Sequence, residues 1–92
     1  MTIFEVLLSE TARKQLRELS PDLQDDIKDK MRELRMGPFV SGPRTDIKKL
    51  KGDKRDYYRL RVGRYRVLYV IEGDRVLVAK VLPRSKAYEW IE

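Results

Sequence analysis

The region between Arg44 and Arg66 holds ten basic residues and three acidic ones. The basic residues are Arg44, Lys48, Lys49, Lys51, Lys54, Arg55, Arg59, Arg61, Arg64 and Arg66. The arginine guanidinium is a planar fork that pairs with phosphate oxygens, and the tyrosines at 57, 58 and 65 offer ring faces on which unpaired bases stack. These residue types at this density predict a surface that binds a polyanion such as nucleic acid.

The charge is distributed unevenly along the chain. Residues 1–40 hold seven basic and eight acidic residues, whereas residues 41–92 hold fourteen basic and seven acidic ones, which together give the net charge of +6. Dense charge also keeps a surface soluble, and tyrosine is an ordinary strand residue. Composition alone therefore leaves both interpretations open.

Histidine and cysteine are both absent. Their absence excludes disulfides, thiolate nucleophiles and zinc sites built from sulfur or imidazole, and it removes the side chain that titrates near neutral pH. The sequence also lacks phosphate-loop glycine motifs and metal-ligand spacings, so no cofactor is expected. Any chemistry must use arginine, lysine, tyrosine, serine or carboxylates.

The length of 92 residues fits one domain, so residues 1–92 are predicted to form a single unit. The 41% hydrophobic and 39% charged residues are typical of a soluble globular protein. The apolar N-terminus has no basic leader and is interrupted by Glu5. We therefore expect a cytoplasmic location and no membrane partner.

The first half of the chain predicts a strand and two helices. Residues 2–8 are mostly apolar, which is typical of a strand with both faces largely covered. Ser9 or Thr11 can cap a helix that runs to Leu19. Ser20 then supplies a second capping hydroxyl, directly before a proline at the first helical position.

A second helix is therefore expected from Pro21 until Gly37-Pro38 ends it. Almost no residues separate the two helices, so they are predicted to form a hairpin.

The second half of the chain predicts three or four antiparallel strands, at residues 47–50, 56–62, 64–71 and 75–82, with turns at Gly63 and Gly73-Asp74. Alternation within residues 56–62 places Arg59 and Arg61 on one wet, cationic face. Residues 84–92 are expected to form a short helix or strand. The whole order predicts an α+β fold in which an N-terminal strand and a helical hairpin precede a three- to four-stranded antiparallel sheet, with the helices on one face.

Three stretches of this sequence resemble the RelE/ParE toxin superfamily, and its RelE-like branch in particular. They are Lys49-Leu50-Lys51-Gly52, residues 58–69 with an Arg-Val-Gly strand end, and residues 81–88, where an arginine is followed four residues later by a tyrosine. The strand and helical hairpin match that order as well, so the resemblance spans nearly the whole chain. It implies the RelE-like fold and a toxin of a type II toxin-antitoxin system that cleaves messenger RNA on the ribosome without a metal and so inhibits translation.

The resemblance also implies which residues are catalytic. Arg59 and Arg61 match the paired basic strand residues of RelE-like enzymes, and Arg66 matches the phosphate-stabilising arginine of the next strand. Arg84 and Tyr88 match the C-terminal catalytic pair. Some relatives carry lysine at the paired strand positions, and arginine is a poor proton acceptor because it stays protonated. The general base is therefore left unassigned.

Further contacts and partners follow from the charge and the resemblance together. Five residues are expected to bind messenger or ribosomal RNA through the backbone rather than to catalyse: Lys48, Lys49, Lys51, Lys54 and Arg55. The expected partners are the ribosome, its message, and a RelB-like antitoxin that is acidic, partly disordered when free, and folded around the arginine cluster when bound.

Other interpretations stay open. A ParE-like member inhibits DNA gyrase by binding it, and an RNA-binding module holds RNA without cutting it. Arg59 and Arg61 are also compatible with a surface that is merely soluble, and Tyr88 and Trp90 with anchoring of the C-terminal segment.

Overall fold

Five strands form one mixed sheet, and a helical hairpin covers one of its faces in the computed structural model of the chain. The structure describes residues 2–52 and 55–91, with the backbone alone at residues 88, 90 and 91. The elements are β1 (Glu5–Leu8), α1 (Glu10–Arg17), α2 (Pro21–Glu33), β2 (Ile47–Leu50), β3 (Tyr57–Val62), β4 (Tyr65–Glu72), β5 (Arg75–Pro83) and α3 (Arg84–Ile91). This order confirms the predicted α+β class.

A serine caps each helix of the hairpin. Ser9 accepts a hydrogen bond from Ala12 N at 3.0 Å, and Ser20 accepts one from Leu23 N at 3.4 Å. α2 begins at Pro21 as predicted. α1 ends at Arg17, before the predicted Leu19, because the Leu19 amide bonds Leu16 O in a tighter turn.

The strand order is β1-β5-β4-β3-β2, so the last strand of the chain lies between the first strand and the meander. β2 to β5 pair antiparallel as predicted, whereas β1 pairs with β5 in parallel. The prediction that both faces of β1 are covered is wrong. Exposure alternates along β1, where Glu5 and Leu7 are exposed, because β1 is an edge strand with helices on one face only.

Both predicted turns are present, and each depends on a glycine. Gly63 has a φ of 57° and Gly73 a φ of 60°, whereas the residues that follow, Arg64 and Asp74, have negative φ. A positive φ at the first of two turn residues is the type II′ pattern, which matches the twist of the strands it joins. The Gly63 turn brings the end of β3 directly beside the start of β4.

A β-bulge interrupts β5. Tyr69 pairs with Val78, but Leu68 pairs with Lys80, so Ala79 has no partner on β4. Two side chains from the N-terminal half bond the backbone around it: Ser9 Oγ donates to Ala79 O at 2.7 Å, and Val81 N donates to Gln15 Oε1 at 2.8 Å. The bulge is therefore a supported feature of the sheet.

The core lies between the hairpin and the sheet. It is built from Phe4, Ala12, Leu16, Ile27, Met31 and Leu34 against Tyr58, Leu60, Val67, Tyr69, Val76, Val78 and Val81. The central strand β4 is buried along most of its length, as its apolar pattern predicts.

One end of this core is aromatic. Phe39 contacts Phe4 and Tyr58 edge-on, with ring centroids 5.7 and 6.0 Å apart, and Tyr58 stacks on Tyr69 at 5.6 Å. The Tyr69 hydroxyl donates to Pro38 O at 2.7 Å, and burial raises the pKa of that phenol well above its ordinary value. We call this cluster, formed by Phe4, Phe39, Tyr58 and Tyr69, the aromatic end.

Candidate functional site

The sheet face opposite the hairpin, here called the cationic face, carries the predicted strand arginines. Strand register places Arg59 beside Lys48, and Arg61 beside Arg66. Since side chains alternate along each strand, these residues share one face with Lys80, which pairs with Leu68 next to Arg59. The face therefore collects cations from four neighbouring strands.

Three of the predicted catalytic residues line one cleft. Arg61, Arg66 and Arg84 surround a depression of about 380 Å³, together with Gly63, Arg64, Pro83 and Ser85. We call this depression the arginine cleft. Arg61 and Arg66 reach it from the two strands that flank the Gly63 turn. Arg84 reaches it from the junction of β5 and α3, where its backbone N donates to Arg64 O of the turn at 2.8 Å.

Arg66 is held in a fixed orientation. Its Nη1 donates to Gly63 O and to Tyr65 O, both at 2.9 Å, and the residue is only 8% exposed. Two bonds from one nitrogen fix the plane of the guanidinium. A donor held in this way needs little reorganisation when charge develops on a phosphate.

Arg59 lies on the same face as Arg61 but outside the cleft lining. Asp46 stands between the two arginines, with Oδ1 3.4 Å from Arg59 Nη2 and Oδ2 3.8 Å from Arg61 Nη1. The Arg59 side chain is 18% exposed, and its Nε is buried with no hydrogen-bond partner in the described part of the chain. Arg59 is thus the more enclosed member of the pair, and Arg61 the more accessible.

The five predicted RNA-binding residues are dispersed. Lys48 lies on the cationic face beside Arg59, where it is exposed. Lys49 pairs with Asp56 at 3.1 Å, and the hydrogen bond and charge of Asp56 raise the pKa of that lysine.

Arg55 lies toward the aromatic end and pairs with Glu72 at 2.9 Å. Lys51 is exposed just after β2. Lys54 lies outside the described residues.

Tyr88 lies in α3, four residues after Arg84. Its side chain lies outside what the structure describes, as does that of Trp90. The predicted pairing of Arg84 with Tyr88 is therefore supported by sequence spacing alone.

Sequence reasoning missed three residues near this site: Asp46, Arg64 and Lys80. Arg64 follows Gly63 in a recognisable turn, so its place at the mouth of a hairpin was available from the sequence. Asp46 precedes a short strand, and only the pairing of β2 with β3 brings it to Arg61, whose amide donates to Asp46 O at 2.9 Å. Lys80 was not predicted as a site residue because alternation along an unbroken strand would place it on the core face.

No group of three carboxylates, histidines or cysteines suited to a metal occurs within residues 2–52 and 55–91. Within those same ranges no helix has the length and apolar character needed to cross a bilayer.

Comparison with known proteins shows the family to which the chain belongs. Residues 6–88 match a family model described as the ParE toxin of the type II toxin-antitoxin system parDE. The chain is 33% identical over 86 residues to "Toxin RelE3" of Methanocaldococcus jannaschii, covering 94% of this chain and 97% of that protein.

Two solved complexes contain a chain of similar structure. One is the archaeal RelE-RelB complex of Pyrococcus horikoshii OT3, with a TM-score of 0.76, 28% identity and coverage of 94% and 99% of the two chains. The other is the RelB-RelE antitoxin-toxin complex of Methanococcus jannaschii, with a TM-score of 0.72, 30% identity and the same coverage. The predicted RelE-like fold is confirmed.

Proposed function

Because this chain belongs to the ParE toxin family of type II toxin-antitoxin systems, with RelE toxins among its relatives, we propose that it cleaves messenger RNA on the ribosome and so inhibits translation. The observation that carries the proposal is the arginine cleft, in which Arg61, Arg66 and Arg84 converge from three elements. Three guanidinium groups around one depression can bind a scissile phosphate together, whereas solubility alone does not require that cations converge.

The proposed reaction is a transesterification at the scissile phosphodiester. The ribose 2′-hydroxyl gives its proton to water or to a base that is not assigned to a residue, and its oxygen attacks the adjacent phosphorus. The bond to the 5′-oxygen breaks, and that oxygen takes up a proton from water or from a positioned acid. The products are a 2′,3′-cyclic phosphate and a 5′-hydroxyl. Charge builds on the phosphoryl oxygens during attack, and a preorganised cation stabilises that charge.

We assign roles by accessibility and position. Arg61 and Arg66 bind the phosphate, and Arg84 stabilises the leaving oxygen directly or through a water. Arg59, enclosed beside Asp46, shapes the electrostatic potential around Arg61. Tyr88 stacks on a base or relays a proton.

A site without histidine should depend on geometry supplied by its substrate. Orientation alone can lower a barrier by roughly 7 to 11 kcal/mol. The ribosome holds message in a defined path, so we expect fast cutting of ribosome-bound message and slow or undetectable cutting of naked RNA. Equal rates on the two substrates contradict this dependence.

The decisive experiment maps message 5′ ends in a translation extract with the intact chain, Arg66→Ala and Arg84→Ala. Arg32→Ala serves as a matched control, because Arg32 is an exposed arginine of α2 that pairs with Asp29. New 5′ ends with the intact chain and the control, and their loss with the other two variants, support the proposal. Unaltered cleavage by both site variants would contradict the proposal.

A second candidate function is favoured by the ParE description of the family model. A gyrase-directed toxin would inhibit supercoiling of DNA by purified gyrase and leave translation in the extract intact. A noncatalytic RNA-binding module would bind RNA with the same arginines and generate no new 5′ ends.

The lysines are proposed as backbone contacts of unequal weight. Lys48, exposed on the cationic face, should matter most, because Lys49 and Arg55 are each neutralised by a carboxylate. Lys51 and Lys54 stay candidates for ribosomal contacts. Replacing a residue that binds a phosphate should reduce the salt dependence of RNA binding by about 0.7 for each phosphate that the variant no longer neutralises.

We also propose an acidic antitoxin as the partner of this chain, since two similar chains were solved in complex with RelB. An acidic segment complements the cationic face and would shield its arginines when bound. Arg61 and Arg84 should then react with an arginine-modifying reagent in the free toxin and be protected in the complex. Equal reactivity would exclude direct coverage.

A further inference from the structure

We propose that Lys80 is a further phosphate-binding residue of the cationic face and that the β5 bulge places its side chain on that face. The inference deepens the proposed function, on which it rests, because it adds a residue to the same site. Three observations carry it: the register of β5, the side chains that support the bulge, and the position of Lys80 relative to Arg66.

The register shows what the extra residue does. Val76 and Val78 face the core and are 0% and 1% exposed. Side chains alternate along a regular strand, so residue 80 would face the core as well. Ala79 is the extra residue, and beyond it Lys80 faces the opposite side while Val81 returns to the core at 2% exposure.

The bulge is held by polar side chains that come from outside the sheet. The bulge takes two backbone groups out of the regular ladder, the exposed Ala79 O and the part-buried Val81 N, and each needs another partner. Ser9 and Gln15 bond these two groups at 2.7 and 2.8 Å. Ser9 also caps α1. The same hydroxyl therefore supports both the start of the first helix and the bulge that sets the direction of the Lys80 side chain.

The position of Lys80 brings it within reach of the cleft. Lys80 pairs with Leu68, and Arg66 lies two residues before Leu68 on the same face. Such diagonal neighbours have Cα atoms roughly 7 to 8 Å apart. Lysine has a four-carbon stem and three donors, so an ammonium at this position can add a charge-assisted hydrogen bond to a phosphate bound by Arg66.

The test measures binding of a 2′-O-methyl RNA oligonucleotide, which cannot be cut, over a range of salt concentrations, together with cutting in the translation extract. Lys80→Met keeps the apolar stem and removes the charge. We expect the salt slope to fall by about 0.7 and cutting to fall by about tenfold. Lys80→Arg should restore both, because the role is that of a cation rather than a proton acceptor.

Lys28→Met is the matched control, since Lys28 is an exposed lysine of α2 on the other side of the sheet. It should leave slope and cutting unchanged. If Lys80→Met does not fold, Lys80→Gln is measured in the same way. Wild-type slope and cutting in the folded variant overturn the inference and leave the proposed function intact.

The two proposals fail separately. An intact chain that binds the oligonucleotide with a Lys80-dependent slope but makes no cuts refutes the nuclease and supports Lys80 as a nucleic-acid contact. An intact chain that neither binds the oligonucleotide nor makes cuts in the translation extract overturns both.

Discussion

The two ends of the β3–β4 hairpin differ in what holds them together. At the turn, Arg66 donates to two backbone carbonyls, and Arg61 lies 3.8 Å from the exposed carboxylate of Asp46. Five residues back along β3, on the order of 16 Å away, Tyr58 lies in a cluster of four rings, of which three are buried and Phe39 is half exposed. The cleft is organised by hydrogen bonds to the turn, and the aromatic end by apolar packing.

This difference separates stability from chemistry within a small sheet. Like charges gathered at the turn repel one another, so that end adds little to the stability of the fold and depends on the rest of the molecule. The aromatic end is a cluster of rings that closes the core between β1, the hairpin and the sheet. Substitutions at the two ends should therefore change different observables.

The largest expected effect is on the stability of the aromatic end. Phe4→Ala removes a ring that is 9% exposed and contacts Phe39, and it should lower the free energy of unfolding by about 3 to 5 kcal/mol. Urea denaturation provides the measurement, and Phe4→Leu should lose much less. Where the variant is folded, RNA cutting per folded molecule should equal that of the intact chain; selective loss of cutting would break the comparison.

At the turn, Arg66→Lys should reduce RNA cutting and leave the stability of the fold nearly unchanged. The charge stays, but the planar guanidinium whose Nη1 bonds Gly63 O and Tyr65 O is lost. Cutting should therefore fall by about 10² to 10³-fold with a small change in unfolding free energy. Arg75→Lys is the control, because Arg75 is an exposed arginine paired with Glu5 at the start of β5. A large loss of stability in Arg66→Lys would mean that the cleft is structural.

A third prediction concerns Tyr69 and pH. Tyr69→Phe leaves Pro38 O without its donor and should cost about 1 to 3 kcal/mol of unfolding free energy at neutral pH. The pKa of the phenol is raised in the fold, chiefly by burial, so its stabilising contribution is complete below its ordinary pKa of about 10 and is lost as pH rises above that value. The decrease in stability between pH 9 and pH 11 should be smaller in the variant; an identical decrease would show that other groups cause it.

The smallest expected effect is at Lys49, on an exposed ion pair. Lys49→Met removes the partner of Asp56, and the thermal midpoint at neutral pH should barely change because such pairs are largely screened by solvent. The same substitution at Lys48 should weaken RNA binding more, since Lys48 lies on the cationic face. Equal effects on binding would remove the distinction between the two faces of β2.

Local signals predicted much of this fold. Ser20 and Pro21 mark the start of α2 because capping depends on adjacent residues, and Gly63 marks a hairpin because a positive φ is needed there. The pairing of β1 with β5 had no such signal, because it joins residues that lie far apart in sequence. The exposed character of β1 follows from that pairing, which is why the prediction of a covered strand failed.

The candidate site was predictable in part for the same reason. Arg61 and Arg66 flank one short turn, so alternation alone puts them side by side. The bulge depends on Gln15, which is 66 residues from Val81, so no local pattern could show that Lys80 changes face. The enclosure of Arg59 likewise depends on Asp46, which reaches it only through the β2–β3 pairing.

β5 is an interior strand of the sheet, although it follows the other four strands in sequence. A growing polypeptide leaves its ribosome N-terminus first, yet β1 and β4 are joined only through β5, the strand synthesised after all the others. Until β5 emerges, β1 has no neighbour, and the turn arginines have no Arg84 beside them. The arginine cleft therefore forms only once β5 and the start of α3 are both in place beside the Gly63 turn.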